Sequence, residues 1–134
     1  MLGIKNQIVM TVLDYVIIAL KLIVSLSILN VWLLQPQKAT KWRGGAATTI
    51  KEEFKAYGLS ETFCYVIGFL KITLALILLA SIKFESLSLI GSLGLALLLL
   101  GSIVMHFKIK DPLYKSFPAF LFVVMNLGIA YFFL

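Results

Sequence analysis

The sequence predicts an all-α integral membrane protein, a four-helix transmembrane bundle with a short interfacial amphipathic helix in its first loop. Three observations predict it. Of 134 residues, 61% are hydrophobic and only 13% charged, whereas a water-soluble domain is about half apolar and roughly a quarter charged. Mean hydropathy is +1.04. The apolar residues are also gathered into four blocks, about 9–34, 63–82, 87–107 and 117–134. Each is long enough to cross ~30 Å of hydrocarbon as a helix. The runs are continuously apolar, which excludes a transmembrane β-barrel built from alternating segments of ~10 residues. The length suits a single transmembrane domain.

The first block carries two charges, Asp14 and Lys21, and ends at Val31-Trp32-Leu33-Leu34 before Gln35-Pro36. Proline restricts the residue before it and so favours a helix stop here. Trp32 suits the membrane interface, and Trp42 supplies a second interfacial aromatic. Lys5 is a weak positive region, and no small-x-small cleavage site precedes Trp32, so the block is expected to be retained and not removed as a signal.

The first loop, residues 35–60, is the one long polar stretch. Thr49-Ile50-Lys51-Glu52 reads as a capping box, with Thr49 as the N-cap. Ile50, Phe54 and Tyr57 then recur at helical spacing, with Lys51 and Lys55 on the other side. Gly58 suits the helix end. This is a short amphipathic helix, expected in the membrane interface or sealing the end of the bundle.

Ser60 is a candidate N-cap for the second span. Four residues, Lys83 to Ser86, join spans two and three, so these form an antiparallel hairpin. The third span holds Gly91, Gly94 and Gly101 among Ser88, Ser92, Ala96 and Ser102. Small residues let helices approach closely in lipid, so this span is expected at the centre of the bundle. Asp111-Pro112 reads as an N-cap with proline at N1 of a single turn, and Pro118 falls in the first turn of the fourth span, where a missing N–H costs little.

Charge sets the orientation. The side holding loops one and three carries Lys38, Lys41, Arg43, Lys51, Lys55, Lys108, Lys110 and Lys115, and the other side carries Lys5 and Lys83. By the positive-inside rule, loops one and three are cytoplasmic and both termini lie outside. The expected location is the bacterial cytoplasmic (inner) membrane. The net charge of +6 is then met by anionic lipid at the cytoplasmic face, and no nucleic-acid partner is expected.

Polar residues inside apolar spans are expensive and usually face the bundle interior. Asp14, Lys21, Lys71 and Asn126 form the candidate intramembrane site. Lys21 and Lys71 are expected at similar depth, with Asp14 two turns from Lys21 on the same face. Two lysines against one aspartate leave a positive charge unmatched, which suits an anionic or electron-rich group. The alternative is structural, with lysine stems carrying the charge toward an interface and Asn126 joining helices by hydrogen bonds.

His106, Asp111 and Lys115 form a second candidate site at the cytoplasmic face. One histidine and one acid do not make a metal site, which takes three or four ligands, so no metal is expected. The single Cys64 excludes an intrachain disulfide and a CxxC redox pair and reads as a small buried apolar residue. No nucleophile–base motif or phosphate-binding glycine loop is present.

Three features resemble the DoxX-like family of small four-helix membrane proteins. They are Glu53-x-Lys55-x-Tyr57-Gly58-Leu59-Ser60 with Gly68-x-x-Lys71, the glycine-rich third span, and the string from His106 through Asp111-Pro112 and Lys115 to Pro118-Ala119. The resemblance implies a small membrane protein linked to quinone-coupled oxidoreductase or redox-stress complexes. One branch resembles chaperones that assemble receptor channels. Where many relatives place an acidic residue in the 68–71 region, this chain has Lys71.

The leading functional expectation is a non-catalytic accessory subunit or assembly factor, acting by helix contacts with another membrane protein or by self-association. No cofactor is expected in that role. A second expectation is a subunit of a quinone-linked oxidoreductase, with quinone meeting the charged interior. A third is a small anion or solute transporter built by oligomerisation.

Overall fold

The computed structural model describes residues 2–134, with side chains from Thr11 onward. The start of the first block at Val9 and the contribution of Lys5 to the charge count lie outside the residues whose side chains are described. Among the described residues there are five α-helices and no strand. They are α1 (Leu2–Leu29), continued by a π-helical segment (Asn30–Leu34), α2 (Ile50–Ala56), α3 (Glu61–Ala80), α4 (Ser88–Lys108) and α5 (Phe117–Phe132). Four are long and apolar enough to cross a membrane. About a third or less of each span is buried inside the bundle. The outward faces carry large apolar side chains such as Phe69, Leu97 and Tyr131, a surface that lipid covers and water does not.

The spans close into a ring. α1 packs on α3 and α5, α3 on α4, and α4 on α5. The expectation of a central third span is therefore corrected: α4 is one corner of the ring, diagonal to α1. Two of its glycines, Gly91 and Gly94, face α3. Gly91 lies against the backbone of Leu78 in α3, whereas Gly101 has no atom within 4 Å of where a Cβ would stand. Val24, Leu78, Leu95 and Ile129, one from each span, are fully buried and form the centre of the core.

Local chemistry explains most element ends. The Thr49 side chain accepts from Glu52 N–H at 3.1 Å, as the capping box requires. The Glu52 carboxylate turns instead to Thr48, accepting from its N–H and hydroxyl at 2.8 Å each. Ser60 caps α3 by accepting from Phe63 N–H. Gly58 takes φ +81° after α2, a conformation that favours glycine. The Asp111 cap is corrected. A 3-10 turn, Leu113–Ser116, does follow Pro112, but no side chain caps it, because the Asp111 carboxylate is engaged elsewhere.

The end of α1 also differs from expectation. Its last turn is wide, closed by Gln35 N–H donating to Asn30 O at 2.8 Å, the i→i+5 spacing of a π-helix. This rotates Trp32 onto α3. The indole lies where a Cβ on Gly68 would come within 2.8 Å of its ring, so the glycine makes room for it.

Candidate functional site

The site lies at the end of the bundle that holds residues 35–60 and 109–116, the basic end. α2 lies across this end. Ile50, Phe54 and Tyr57 point inward and are buried, while Lys51 and Lys55 are exposed. The amphipathic helix thus seals the bundle. Phe54 packs edge-on against Trp32, with ring centroids 5.9 Å apart.

Under this lid is a cavity of about 480 Å³, within the range of small-molecule sites. Its apolar walls include Trp32, Phe54, Leu98, Met105 and Phe122, and Gly101 leaves part of one wall open. Its polar groups include Arg43, Glu53, Tyr57, His106, Lys71 and Ser102.

Lys71 supplies the deep polar group. It is 7% exposed, and its Nζ donates to Ser102 Oγ at 3.2 Å. The ammonium stands 5.5 Å from the Trp32 ring centroid, a cation–π distance. An ammonium has three donors. Ser102 takes one of them, and among the described residues Lys71 forms no ion pair with a carboxylate.

At the cavity mouth a chain of side chains links the elements. Arg43 pairs with Glu53 Oε2 at 3.3 Å, and its other guanidinium nitrogens donate to the carbonyls of Gln35, Pro36 and Lys38. The loop after α1 is thereby tied to α2. Tyr57 Oη donates to Glu53 Oε1 at 2.6 Å and lies 3.3 Å from His106 Nε2. Burial, reinforced by the Glu53 carboxylate, pushes the Tyr57 phenol above its usual value. His106 Nδ1 is 2.7 Å from Asp111 Oδ2. Asp111 also accepts from Gly45 N–H at 3.0 Å, and Lys115 donates to Gly45 O at 2.7 Å. The ammonium of Lys108 donates to Tyr57 O at 2.9 Å, where a cation suits a helix C-terminus.

The second predicted group, His106, Asp111 and Lys115, is therefore brought together, with Lys115 Nζ 4.0 Å from Asp111 Oδ1. The first predicted group is dispersed. Lys21 Nζ reaches the opposite end of the bundle, donating to Ser81 O at 3.0 Å and Ser88 Oγ at 2.9 Å beneath the Phe133 ring. Ser81 is ten residues beyond Lys71, about 15 Å of helix rise, so the two ammonium groups do not share a depth. Asp14 is exposed and, among the described residues, pairs with neither lysine. It stands two turns outward of Lys21, toward the end marked by the α3–α4 turn. Asn126 is fully buried in α5 and donates to Phe122 O at 2.8 Å, its Oδ1 having no partner among the described residues. It does not line the cavity.

Arg43, Glu53, Tyr57, Ser102 and Trp32 are site residues that sequence reasoning did not nominate. Glu53 and Tyr57 carried a signal: they are four apart on a short amphipathic helix, on the side that faces the bundle. Ser102 and His106 are likewise four apart on α4, one turn and about 6 Å. No group of three or more histidine, cysteine or acidic residues that could hold a metal occurs among the described residues.

A bundle of apolar spans with a lidded, polar-mouthed cavity defines a small integral membrane protein with a built interior site. The chain belongs to the DoxX-like family, which it matches over residues 41–128. That range holds α2, α3, α4 and most of α5, with Arg43, Glu53, Tyr57, His106, Asp111 and Lys115 of the mouth. It leaves out α1 and its π-helical continuation, and so Trp32. No curated protein and no solved structure matches the chain.

Proposed function

We propose that this protein is an accessory membrane subunit that holds the headgroup of a lipid-soluble quinone for a redox-active partner. The cavity carries the reading. It lies between membrane-spanning helices, so a ligand can enter from the lipid. Its walls are apolar, and it presents hydrogen-bonding groups at two levels of one helix face, Lys71 beside Ser102 and His106 one turn on. A separation of about 6 Å suits a single ring with acceptor oxygens on opposite sides. A fatty-acid carboxylate would use only one of the two levels. Lys71 donates to one quinone oxygen, and the mouth residues meet the other.

The accessory-subunit expectation is thereby made more specific. Cys64 is the sole cysteine, so a dithiol cannot supply the electrons from within the chain. They come from a partner subunit carrying a redox centre. The basic end is placed in the cytoplasm, as the lysine and arginine asymmetry implies.

Fluorescence titration in nanodiscs tests the proposal. A Trp42→Phe background leaves Trp32, in the cavity wall, as the only indole. Decyl-ubiquinone is expected to quench it saturably, and Lys71→Met to weaken binding by tenfold or more, the value of about one charge-assisted hydrogen bond. Quenching that never saturates, or a Lys71→Met variant that binds like the parent, would overturn the reading.

A further inference from the structure

The hydrogen bonds at the cavity mouth are all made only when both ring nitrogens of His106 carry a proton. Tyr57 has a single hydroxyl hydrogen and two neighbours able to take it, Glu53 Oε1 at 2.6 Å and His106 Nε2 at 3.3 Å. The Asp111 carboxylate is an acceptor, which fixes His106 Nδ1 as an N–H donor across 2.7 Å. When the Tyr57 hydrogen lies on Glu53, Nε2 can meet the phenol oxygen only as a donor, and the ring is an imidazolium. When the ring is neutral, Nε2 is an acceptor. The Tyr57 hydrogen must then turn to it, and Glu53 keeps Arg43 alone. The two arrangements differ by one proton and by the rotation of one hydroxyl.

Charged groups of both signs face the network from every element packed against it. Glu53 faces the network from α2 and Asp111 from the α4–α5 connection. Arg43 faces it from the first loop, Lys108 from the end of α4, Lys115 from the 3-10 turn and Lys71 from α3. The Nε2–Tyr57 contact is the long link, beyond the usual 2.9–3.0 Å. His106 and Tyr57 both line the cavity. This link can therefore open toward a ligand atom.

We propose that Tyr57, His106 and Asp111 read the oxidation state of the bound quinone through a single proton. This rests on the quinone reading of the cavity. A quinone oxygen can only accept, and it is bound by the Nε2–H of the imidazolium. A quinol hydroxyl can donate, and it is bound by the neutral Nε2. Replacement of quinol by quinone in the cavity thus takes up one proton from solvent at His106, and the reverse exchange releases it. Asp111 holds the ring orientation through Nδ1. It is a positioning residue and does not touch the ligand.

The test uses the intact chain in nanodiscs, in the Trp42→Phe background, titrated under argon with decyl-ubiquinone and with decyl-ubiquinol between about pH 5 and 8, the range in which histidine changes charge. One linked proton requires the ratio of the two dissociation constants to change by up to tenfold per pH unit, quinone gaining as pH falls. His106→Gln, which keeps one N–H donor and one oxygen acceptor, is expected to bind both forms with a flat ratio. Asp111→Asn, which leaves His106 in place but removes the opposite charge beside it, is expected to keep the slope and move its midpoint to lower pH. A wild-type ratio independent of pH overturns the proton reading and leaves the cavity reading standing. A slope that survives His106→Gln unchanged also overturns it, by assigning the proton elsewhere. Absence of saturable binding of either form at every pH overturns the cavity reading and this inference with it.

Discussion

His106 Nδ1 and Asp111 Oδ2 are 2.7 Å apart, and both side chains are about 5% exposed. The four residues between them contain the end of α4 and Lys110, at φ +58° the one non-glycine residue with positive φ among the described residues. Asp111 N–H also donates back to His106 O at 3.0 Å. The chain thus reverses tightly enough to set the carboxylate against the ring that precedes it, and the same carboxylate holds Gly45 of the first loop. One acid joins two loops and a histidine.

Removing that acceptor is therefore expected to loosen the whole basic end. Asp111→Ala leaves the buried His106 Nδ1 without a partner, and a buried unsatisfied group costs about 1–3 kcal/mol, while the exposed Gly45 N–H turns to water and only its tie to the third loop is lost. Asp111→Asn keeps one oxygen for Gly45 and is expected to lose less. Thermal unfolding in detergent followed by far-UV circular dichroism should rank the Tm values wild type, then Asn, then Ala. An Ala variant as stable as the parent would show that the linkage is not stabilising.

Tyr57 gives a pH dependence with a defined sign. Its phenol is raised above the usual value by burial and by Glu53. The neutral form is therefore favoured in the folded state, and the stability this contributes is fully present below the ordinary phenol value of about 10. It is lost as pH rises past that value toward the folded one. Stability should fall above about pH 10 more steeply in the parent than in Tyr57→Phe. Equal alkaline slopes in the two proteins would contradict the assignment.

The glycines at the cavity separate packing from binding. Gly68→Ala places a methyl 2.8 Å from the Trp32 ring, an overpacking change worth about 1–3 kcal/mol. It should shift Trp32 emission and lower the Tm. At Gly101 no atom lies within 4 Å of an added Cβ, and the residue lines the cavity. Gly101→Ala should leave the Tm unchanged or raise it, since alanine is about 1 kcal/mol better in a helix interior. It should also weaken decyl-ubiquinone binding by reducing the space. Weaker binding accompanied by a fall in Tm would assign the effect to folding instead.

Orientation has a simple reporter assay. With the basic end in the cytoplasm, a C-terminal fusion to an enzyme active only outside the cytoplasmic membrane should be active. A fusion to a fluorophore that matures only in the cytoplasm should be dark. The opposite pattern would invert the topology and place the His106 end outside.

The spans, the lid helix and its inward face could be read from the sequence because each is a local pattern. Four apolar runs, a Thr49 cap and the Ile50–Phe54–Tyr57 spacing need no distant partner to be recognised. The cavity could not be read so directly, because its polar groups come from segments far apart in the chain. Tyr57 meets His106 across 49 residues, and Lys71 meets Ser102 across 31. Asp14 and Lys21 were misplaced for a related reason. Position within an apolar run fixes the depth of a Cα, but a lysine stem carries its charge up to ~6 Å further along the helix. Lys21 uses that reach to meet the α3–α4 turn. The π-helical end of α1, which sets Trp32 over Gly68, follows from the packing of the indole and has no signature in the residues around it.

The two buried lysines should consequently separate when each is replaced by methionine, which keeps most of the stem. Lys21 Nζ donates to Ser81 O, a carbonyl at the C-terminus of α3, and to Ser88 Oγ at the start of α4. It thereby fastens α1 to the α3–α4 turn and places a positive charge where helix carbonyls favour one. Lys21→Met leaves those acceptors without their donor and should cost about 1–3 kcal/mol, seen as a lower Tm. Decyl-ubiquinone affinity should stay close to that of the parent, because the cavity is at the other end. Lys71 has Ser102 as its hydrogen-bond partner, and its charge sits among apolar walls. An unpaired buried charge carries a desolvation cost that an apolar group of similar volume does not. Lys71→Met should therefore hold or raise the Tm while weakening quinone binding by tenfold or more. If Lys71→Met instead unfolds the bundle and Lys21→Met does not, the structural and ligand-binding roles assigned to the two lysines are reversed.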